Sequence, residues 1–378
     1  MKELKAFFFG FGYNGNKKEL KALSMLNVYI EGSLPTSLRW LTNLRSLPLY
    51  DCELINDVSV IEALENLEIL SFQGTEIEEL PKEIGRLSHL KLLDLFQFGV
   101  KRICPGVLSS LSKLEELYLG YSFDDENRIE ETKATFTELY LVLTNLKAFT
   151  ITIGDVFRTR YYQLQNQLSL KDLHESDLME SKFKNLLKIT KILEITRAVG
   201  VKNVGYDLDK DSFKKLTELF LEDCQDLEYV IDKTDGVPVP QSLPCVTGAF
   251  SALKGLELRD LPALTHLWKG PTQLVRFRNL TSLKLERYDK LESMFSLSIA
   301  RDLMQPKELR DQNEIASTTD KIVFPKLKEL RLEVLPSFTD ICKAINGIEL
   351  LQLNELMLCV IPKLNSIQPL FNKASYDG

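Results

Sequence analysis

Histidine and tryptophan are scarce in this chain of 378 residues, with three of the first and two of the second. The histidines, His89, His174 and His266, lie far apart and none belongs to a Glu-x-x-His arrangement. A metal site or a histidine-based triad therefore has little material. No Gly-Lys dipeptide occurs, which removes the phosphate-binding loop of nucleotide hydrolases. The six cysteines (Cys52, Cys104, Cys224, Cys245, Cys342, Cys359) are scattered without a Cys-x-x-Cys pair. That spacing fits neither zinc nor a dense disulfide framework, and it points to a reduced, intracellular protein. No apolar run reaches the roughly 18 residues needed to span a bilayer. The apolar stretch near Met1 is interrupted by Gly10 and Gly12 and lacks a small-residue cleavage site, so no signal peptide is expected. Basic residues number 47 against 54 acidic, a formal charge of −7, which makes nucleic acid and anionic membrane poor default partners.

What the chain has in excess is leucine: 68 of its 378 residues, or 18%. One template recurs: apolar, two residues, Leu, two residues, apolar, one residue, apolar. It runs through Leu41, Leu44, Leu47, Leu49; Leu64, Leu67, Leu70, Phe72; Leu87, Leu90, Leu93, Leu95; and Leu111, Leu114, Leu117, Leu119. Later copies open on Phe213, Phe250, Phe277 and Phe324, and a last one begins at Leu350. An early copy reads Leu20, Leu23, Leu26, Val28. Further copies are anchored at Phe149 and Leu193, weaker ones at Leu168 and Leu309, and an incomplete one covers Met1, Leu4, Phe7 and Phe9. Fifteen units then recur about every 25 residues, inside the range of leucine-rich repeats.

The spacing has a physical cause. Side chains alternate across a strand, so both residues of the closing Leu-x-Leu enter one core, and the earlier pair caps it from the turn. No unit buries its apolar face alone, so neighbours must stack. The expected fold is an α/β leucine-rich repeat solenoid: one curved parallel sheet on the concave face, irregular turns and short helices on the convex face. Residues 1–378 form a single solenoid in this reading, with irregular loops near 122–135, 232–248 and 305–320. The unit at Leu309 is degenerate, since Asp311 takes an apolar place.

Several motifs imitate chemistry. Gly10, Gly12 and Gly15 match Gly-x-Gly-x-x-Gly, but the leucine register that follows argues against a dinucleotide site. Asn279-Leu280-Thr281 is a lone glycosylation sequon directly before a core leucine and reads as chance. His89 falls in a turn. Cys52, Cys224 and Thr75 each lie three residues past a last core residue, where such repeats bond a neighbouring turn. No catalytic, cofactor-binding or metal-binding residue is identified. A binding surface is expected instead, on the residues between and beside the core positions of each strand: Tyr29, Tyr50, Phe96 and Tyr118 in the first half. In the second half they are Glu218, Phe220, Glu222, Glu257, Arg259, Lys284, Glu286, Arg331 and Glu333. Aromatic residues there supply contact area at low entropic cost.

The run from Gly74 through Glu79-Leu80-Pro81-Lys82-Glu83-Ile84-Gly85-Arg86-Leu87 to Leu95 resembles plant intracellular immune receptors, as does Leu108 to Tyr118. Ile153-Gly154-Asp155-Val156, Gly200-Val201-Lys202-Asn203-Val204 and Asp320 to Pro325 are similar to the coiled-coil nucleotide-binding leucine-rich class of disease resistance proteins. The resemblance implies a non-enzymatic recognition and regulatory domain in the cytoplasm, sensing a pathogen effector or a guarded host protein. The nucleotide-binding domain of a full-length receptor would be a second protein partner. ADP or ATP would bind that domain, and no cofactor is assigned to this chain. The repeat pattern is already under way at Met1, so the chain is read as a fragment or truncated product of a larger receptor. The alternative is a leucine-rich substrate receptor of a ubiquitin ligase, for which an F-box-like helical segment is missing.

Overall fold

The computed structural model describes residues 20–75, 79–100, 102–121, 138–153, 166–178, 181–204, 212–232, 250–269, 279–295, 322–342 and 348–365. The glycine triplet, the incomplete first copy, the unit at Leu309 and the loops 122–135 and 305–320 lie outside these residues, as does nearly all of 232–248. The chain divides into two compact units, Met1–Lys171 and Asp172–Gly378.

In the first unit seven strands run parallel in chain order: β1 (Met25–Leu26), β2 (Ser46–Tyr50), β3 (Ile69–Ser71), β4 (Leu92–Val100), β5 (Glu116–Tyr121), β6 (Ala148–Ile153) and β7 (Gln167–Lys171). The template residues fall opposite one another. Leu47 pairs with Leu70, Leu70 with Leu93, Leu93 with Leu117, and Leu117 with Phe149. All five are 0–1% exposed, so the repeat period becomes a continuous apolar row. The earlier pair of each copy closes the core from the side, with Leu44, Leu64, Leu67, Leu87 and Leu90 all fully buried. Between copies the chain makes one short helical turn, Thr36–Trp40, Ser59–Ala63, Lys82–Arg86 and then Val107–Ser110. Each buries one or two apolar residues, Leu38, Ile61, Ile84 and Val107 with Leu108.

The copy before β2 sits in a different register from the one expected. Met25 pairs with Leu49 and Leu26 with Tyr50, so Leu23 and Met25 occupy the core side and Leu26 is 62% exposed. Three apolar residues at 23, 25 and 26 allow two registers. A one-residue slip moves every side chain to the other face, so only the pairing decides.

In the second unit six strands are parallel: β8 (Ile192–Thr196), β9 (Glu218–Glu222), β10 (Gly255–Arg259), β11 (Ser282–Glu286), β12 (Glu329–Glu333) and β13 (Glu355–Cys359). Leu193, Leu219, Leu256, Leu283, Leu330 and Leu356 stand opposite one another in one row. Two of the phenylalanines that open these copies have a packing role: Phe213 and Phe250 stack with ring centroids 4.8 Å apart at 12°. Parallel strands joined by turns, one per repeat, are the leucine-rich repeat solenoid fold. The weak copy at Leu168 and Leu170 is a full member, as β7.

A recurring backbone feature follows the strands. The residue after each of β1, β2, β7 and β8–β13 has φ between 49° and 62°. Five of these are Asn27, Asp51, Asp172, Asp223 and Asp260, types that tolerate this region. Val334 and Val360 are β-branched and strained there. Arg197 at this place is forked onto Asp172 one repeat earlier, at 2.6 and 2.7 Å, and Arg287 engages Asp260 in the same way.

The expected turn-bonding residues do bond neighbouring turns. Thr75 Oγ1 accepts the Cys52 N–H at 3.0 Å and donates to the Leu49 carbonyl at 3.0 Å. The Cys52 thiol contacts the carbonyls of Tyr50 and Met25, and Cys224 those of Glu222 and Ile195. Both thiols are free and buried. Burial pushes Cys224 up to about 11, which makes it a poor nucleophile.

Candidate functional site

Period-two alternation sends Ser46, Pro48 and Tyr50 of β2 to the open side of the first sheet, and the pairing brings Leu26, Ile69, Ser71 and Leu92 to the same side. The open side of β1–β3 carries no charge. Leu26 and Ile69 are well exposed there, and Tyr50 and Pro48 are half-buried between them. Tyr29 is not part of this surface. It begins a strand, Tyr29–Ser33, that pairs with Glu53–Asp57 in a separate two-stranded sheet, where it is exposed.

Farther along the first sheet the open side is closed to solvent. Phe96 is 2% exposed and Tyr118 4%, so neither is available as the contact residue expected from the sequence. Tyr118 donates its hydroxyl to Glu116 Oε2 at 2.8 Å. Asp94, Thr150, Thr152, Gln167, Ser169 and Lys171 are buried on the same side. The hydroxyls of Thr150 and Thr152 have no hydrogen-bond partner among the described residues. Asp94 Oδ1 accepts the Phe96 N–H at 3.0 Å and Oδ2 accepts Ser71 Oγ–H at 3.2 Å. Burial outweighs both bonds and pushes its carboxyl up to about 6.

In the second unit the open-side residues are where the alternation places them. Glu218, Phe220 and Glu222 of β9, Glu257 and Arg259 of β10, Lys284 and Glu286 of β11, and Arg331 and Glu333 of β12 alternate with buried leucines and are half-buried. They form rows across the strands: Glu218, Gly255, Ser282, Glu329, Glu355; then Phe220, Glu257, Lys284, Arg331, Met357; then Glu222, Arg259, Glu286, Glu333, Cys359. These fifteen places hold seven acids and three bases.

The bases are engaged within the face. Arg259 reaches Glu286 at 2.8 Å, Glu222 at 3.4 Å and Glu257 at 3.6 Å. Lys284 meets Glu329 at 3.3 Å, and Arg331 bridges Glu329 at 2.6 Å and Glu355 at 2.9 Å. Burial raises the Glu329 carboxyl, but Ser282, Lys284 and Arg331 outweigh it and hold the group below its ordinary value. Glu218 differs. Its carboxylate lies over Gly255, where a Cβ would fall 1.6 Å from Oε2. It has no hydrogen bond or ion pair among the described residues, and burial raises it against the pull of Lys254 and Lys284.

Asn279 is engaged in packing. Its Nδ2 donates to the Ser251 carbonyl at 2.9 Å and its Oδ1 accepts from Lys326 at 2.7 Å. Asn66 makes the same bond to Thr42, 2.9 Å, at the same place in its repeat. The reading of the sequon as chance overlooked this role, which the recurrence of Asn-Leu before the second anchor signals. His89 is exposed in its turn, with Nδ1 3.1 Å from the Glu65 carbonyl. Among the described residues no three His, Cys, Asp or Glu groups are placed to hold a metal ion. No helix among them is long and apolar enough to cross a membrane.

Residues 159–314 match the family described as plant disease resistance protein RPS2-like, leucine-rich repeats. The disease resistance protein At4g27190 of Arabidopsis thaliana is 22% identical over 392 residues, covering 89% of this chain. In these repeats the chain is similar to plant disease resistance proteins. It spans 38% of the length of that relative. The volume-regulated anion channel subunit LRRC8B of Mus musculus is 28% identical over 204 residues, 47% of this chain and 24% of its own length. Among solved structures, the plant peptide hormone receptor RGFR1 in complex with RGF2 aligns over 90% of this chain and 55% of its own, at 18% identity and a TM-score of 0.42.

Proposed function

We propose that the chain is a recognition and regulatory domain of a plant intracellular immune receptor, sensing a pathogen effector or a guarded host protein through the open sides of its sheets. The observation that carries the reading is the match of its repeats to plant resistance proteins. On these repeats apolar side chains such as Ile69 and Leu26 remain exposed on a sheet that is otherwise a packed core. Leucine-rich repeats are typically protein-interaction domains, and the domain acts here without catalysis. Its second partner is the nucleotide-binding domain of the full-length receptor, which holds any ADP or ATP. Buried free thiols at Cys52 and Cys224 fit a reducing cytoplasm. No observation favours the ubiquitin-ligase adaptor.

Co-expression of the chain with the nucleotide-binding domain of a resistance protein tests the reading. Association, with altered cell-death signalling when Tyr50→Ala and Ile69→Ala are introduced, is the expected result. Absence of association together with unchanged signalling refutes it.

A further inference from the structure

The open side of the second sheet holds more negative charge than its own bases neutralise. Seven acids face three bases, and Arg259, Lys284 and Arg331 are each already engaged with acids of the same face. Two acid pairs stand directly opposite across neighbouring strands, Glu286 with Glu333 and Glu329 with Glu355. Like charges so placed are destabilising. Arg331 relieves the second pair, and Arg259 and Arg287 neutralise Glu286 of the first, which leaves Glu333. Glu333 has no ion-pair partner among the described residues. Glu218, over Gly255, has none either, and Phe220 lies between it and Glu222 on the same strand. At the head of the third row Thr196 stands opposite Glu222, and its buried hydroxyl has no hydrogen-bond partner among the described residues.

We propose that the open side of β9–β13 receives a cationic, extended segment of the protein partner, its lysine or arginine groups meeting Glu218 and Glu333 while its stem lies on Phe220. This rests on the recognition role proposed above and names the partner's chemistry. Charge complementarity decides the occupant: a neutral or acidic segment would leave the carboxylates of Glu218 and Glu333 uncompensated beneath it. A segment crossing five strands spans four intervals of about 4.8 Å, or about six extended residues. Alternate lysines in such a segment lie about 6.8 Å apart on one side, enough to reach successive carboxylates.

The test uses residues 1–378 and two fluorescent twelve-residue peptides, one alternating lysine with serine and one alternating glutamate with serine. Binding is measured at low and at physiological salt, on the unaltered chain, on Glu218→Gln/Glu333→Gln and on Glu65→Gln/Glu83→Gln. The last pair removes equal charge from the first unit. The lysine peptide alone should bind. Its affinity should fall roughly five- to tenfold in the first variant, stay within about twofold in the control, and weaken with salt. Thermal unfolding checks that both variants fold, and the first should hold or gain stability because it removes unpaired charge. Equal loss in both variants, or binding insensitive to salt, overturns the inference by showing only general attraction to an acidic chain. A native partner lost on Tyr50→Ala but indifferent to Glu218→Gln/Glu333→Gln overturns it too, while leaving the recognition role standing.

Discussion

Replacing Asp94 with asparagine should stabilise the first unit at neutral pH and do nothing in acid. The carboxyl is 8% exposed and held by two neutral donors, the Phe96 N–H and the Ser71 hydroxyl, and burial pushes it from 3.8 to about 6. Between those values the folded chain binds a proton that the unfolded chain has released. Stability from this group is therefore whole below about pH 4 and is lost as pH rises through about 6. The shift corresponds to about 3 kcal/mol, as an order of magnitude. Asparagine keeps the geometry: its carbonyl accepts the Phe96 N–H, its amide can donate to the Ser71 oxygen, and it never ionises. Urea unfolding of Asp94→Asn and the unaltered chain at pH 7.5 should differ by about 2–3 kcal/mol in favour of the variant. At pH 4 the two should coincide. A variant less stable at pH 7.5, or an equal gain at both pH values, would show that the carboxylate is not held against a desolvation cost, and the reasoning fails.

Thr75→Val removes the acceptor of the buried Cys52 N–H and the donor to Leu49, and should cost about 2–4 kcal/mol in the same unfolding assay. Gly74→Ala should destabilise by about 1–2 kcal/mol, because φ is +73° and the new Cβ would fall 2.0 Å from Asp51 Oδ1. Val334→Asn should stabilise by about 1 kcal/mol, since a β-branched residue is strained at φ 53° and this valine is exposed. In thiol labelling of the folded chain at pH 8, exposed Cys359 should react quickly and Cys224 only on unfolding, followed site by site by mass spectrometry.

What the sequence could and could not disclose follows from what a repeat encodes. Leucine spacing states which side of a strand each residue faces, because alternation and stacking are local consequences of backbone geometry. Hence Leu47, Leu70, Leu93 and Leu117 fall in one row as expected, and Thr75 and Cys52 meet where the spacing puts them. Leu26 was ambiguous because Met25 beside it is equally apolar, and register is a property of the pair of strands. Facing the open side is a weaker statement than meeting solvent. Tyr50 and Tyr118 occupy equivalent sides of their strands, yet Tyr118 is 4% exposed while Tyr50 is half-buried. Nothing in the template separates them.

The charged half shows the opposite case. There the alternation places the charged residues on the open side, but a set of charges in sequence does not say which are already neutralised. Cross-strand pairing settles that, by setting Glu286 against Glu333 and leaving room over Gly255 for Glu218. An open face becomes a specific surface through the charges its own neighbours cannot satisfy. On this sheet those charges are Glu218 and Glu333, and any partner that ignores both must bind with two half-buried carboxylates uncompensated.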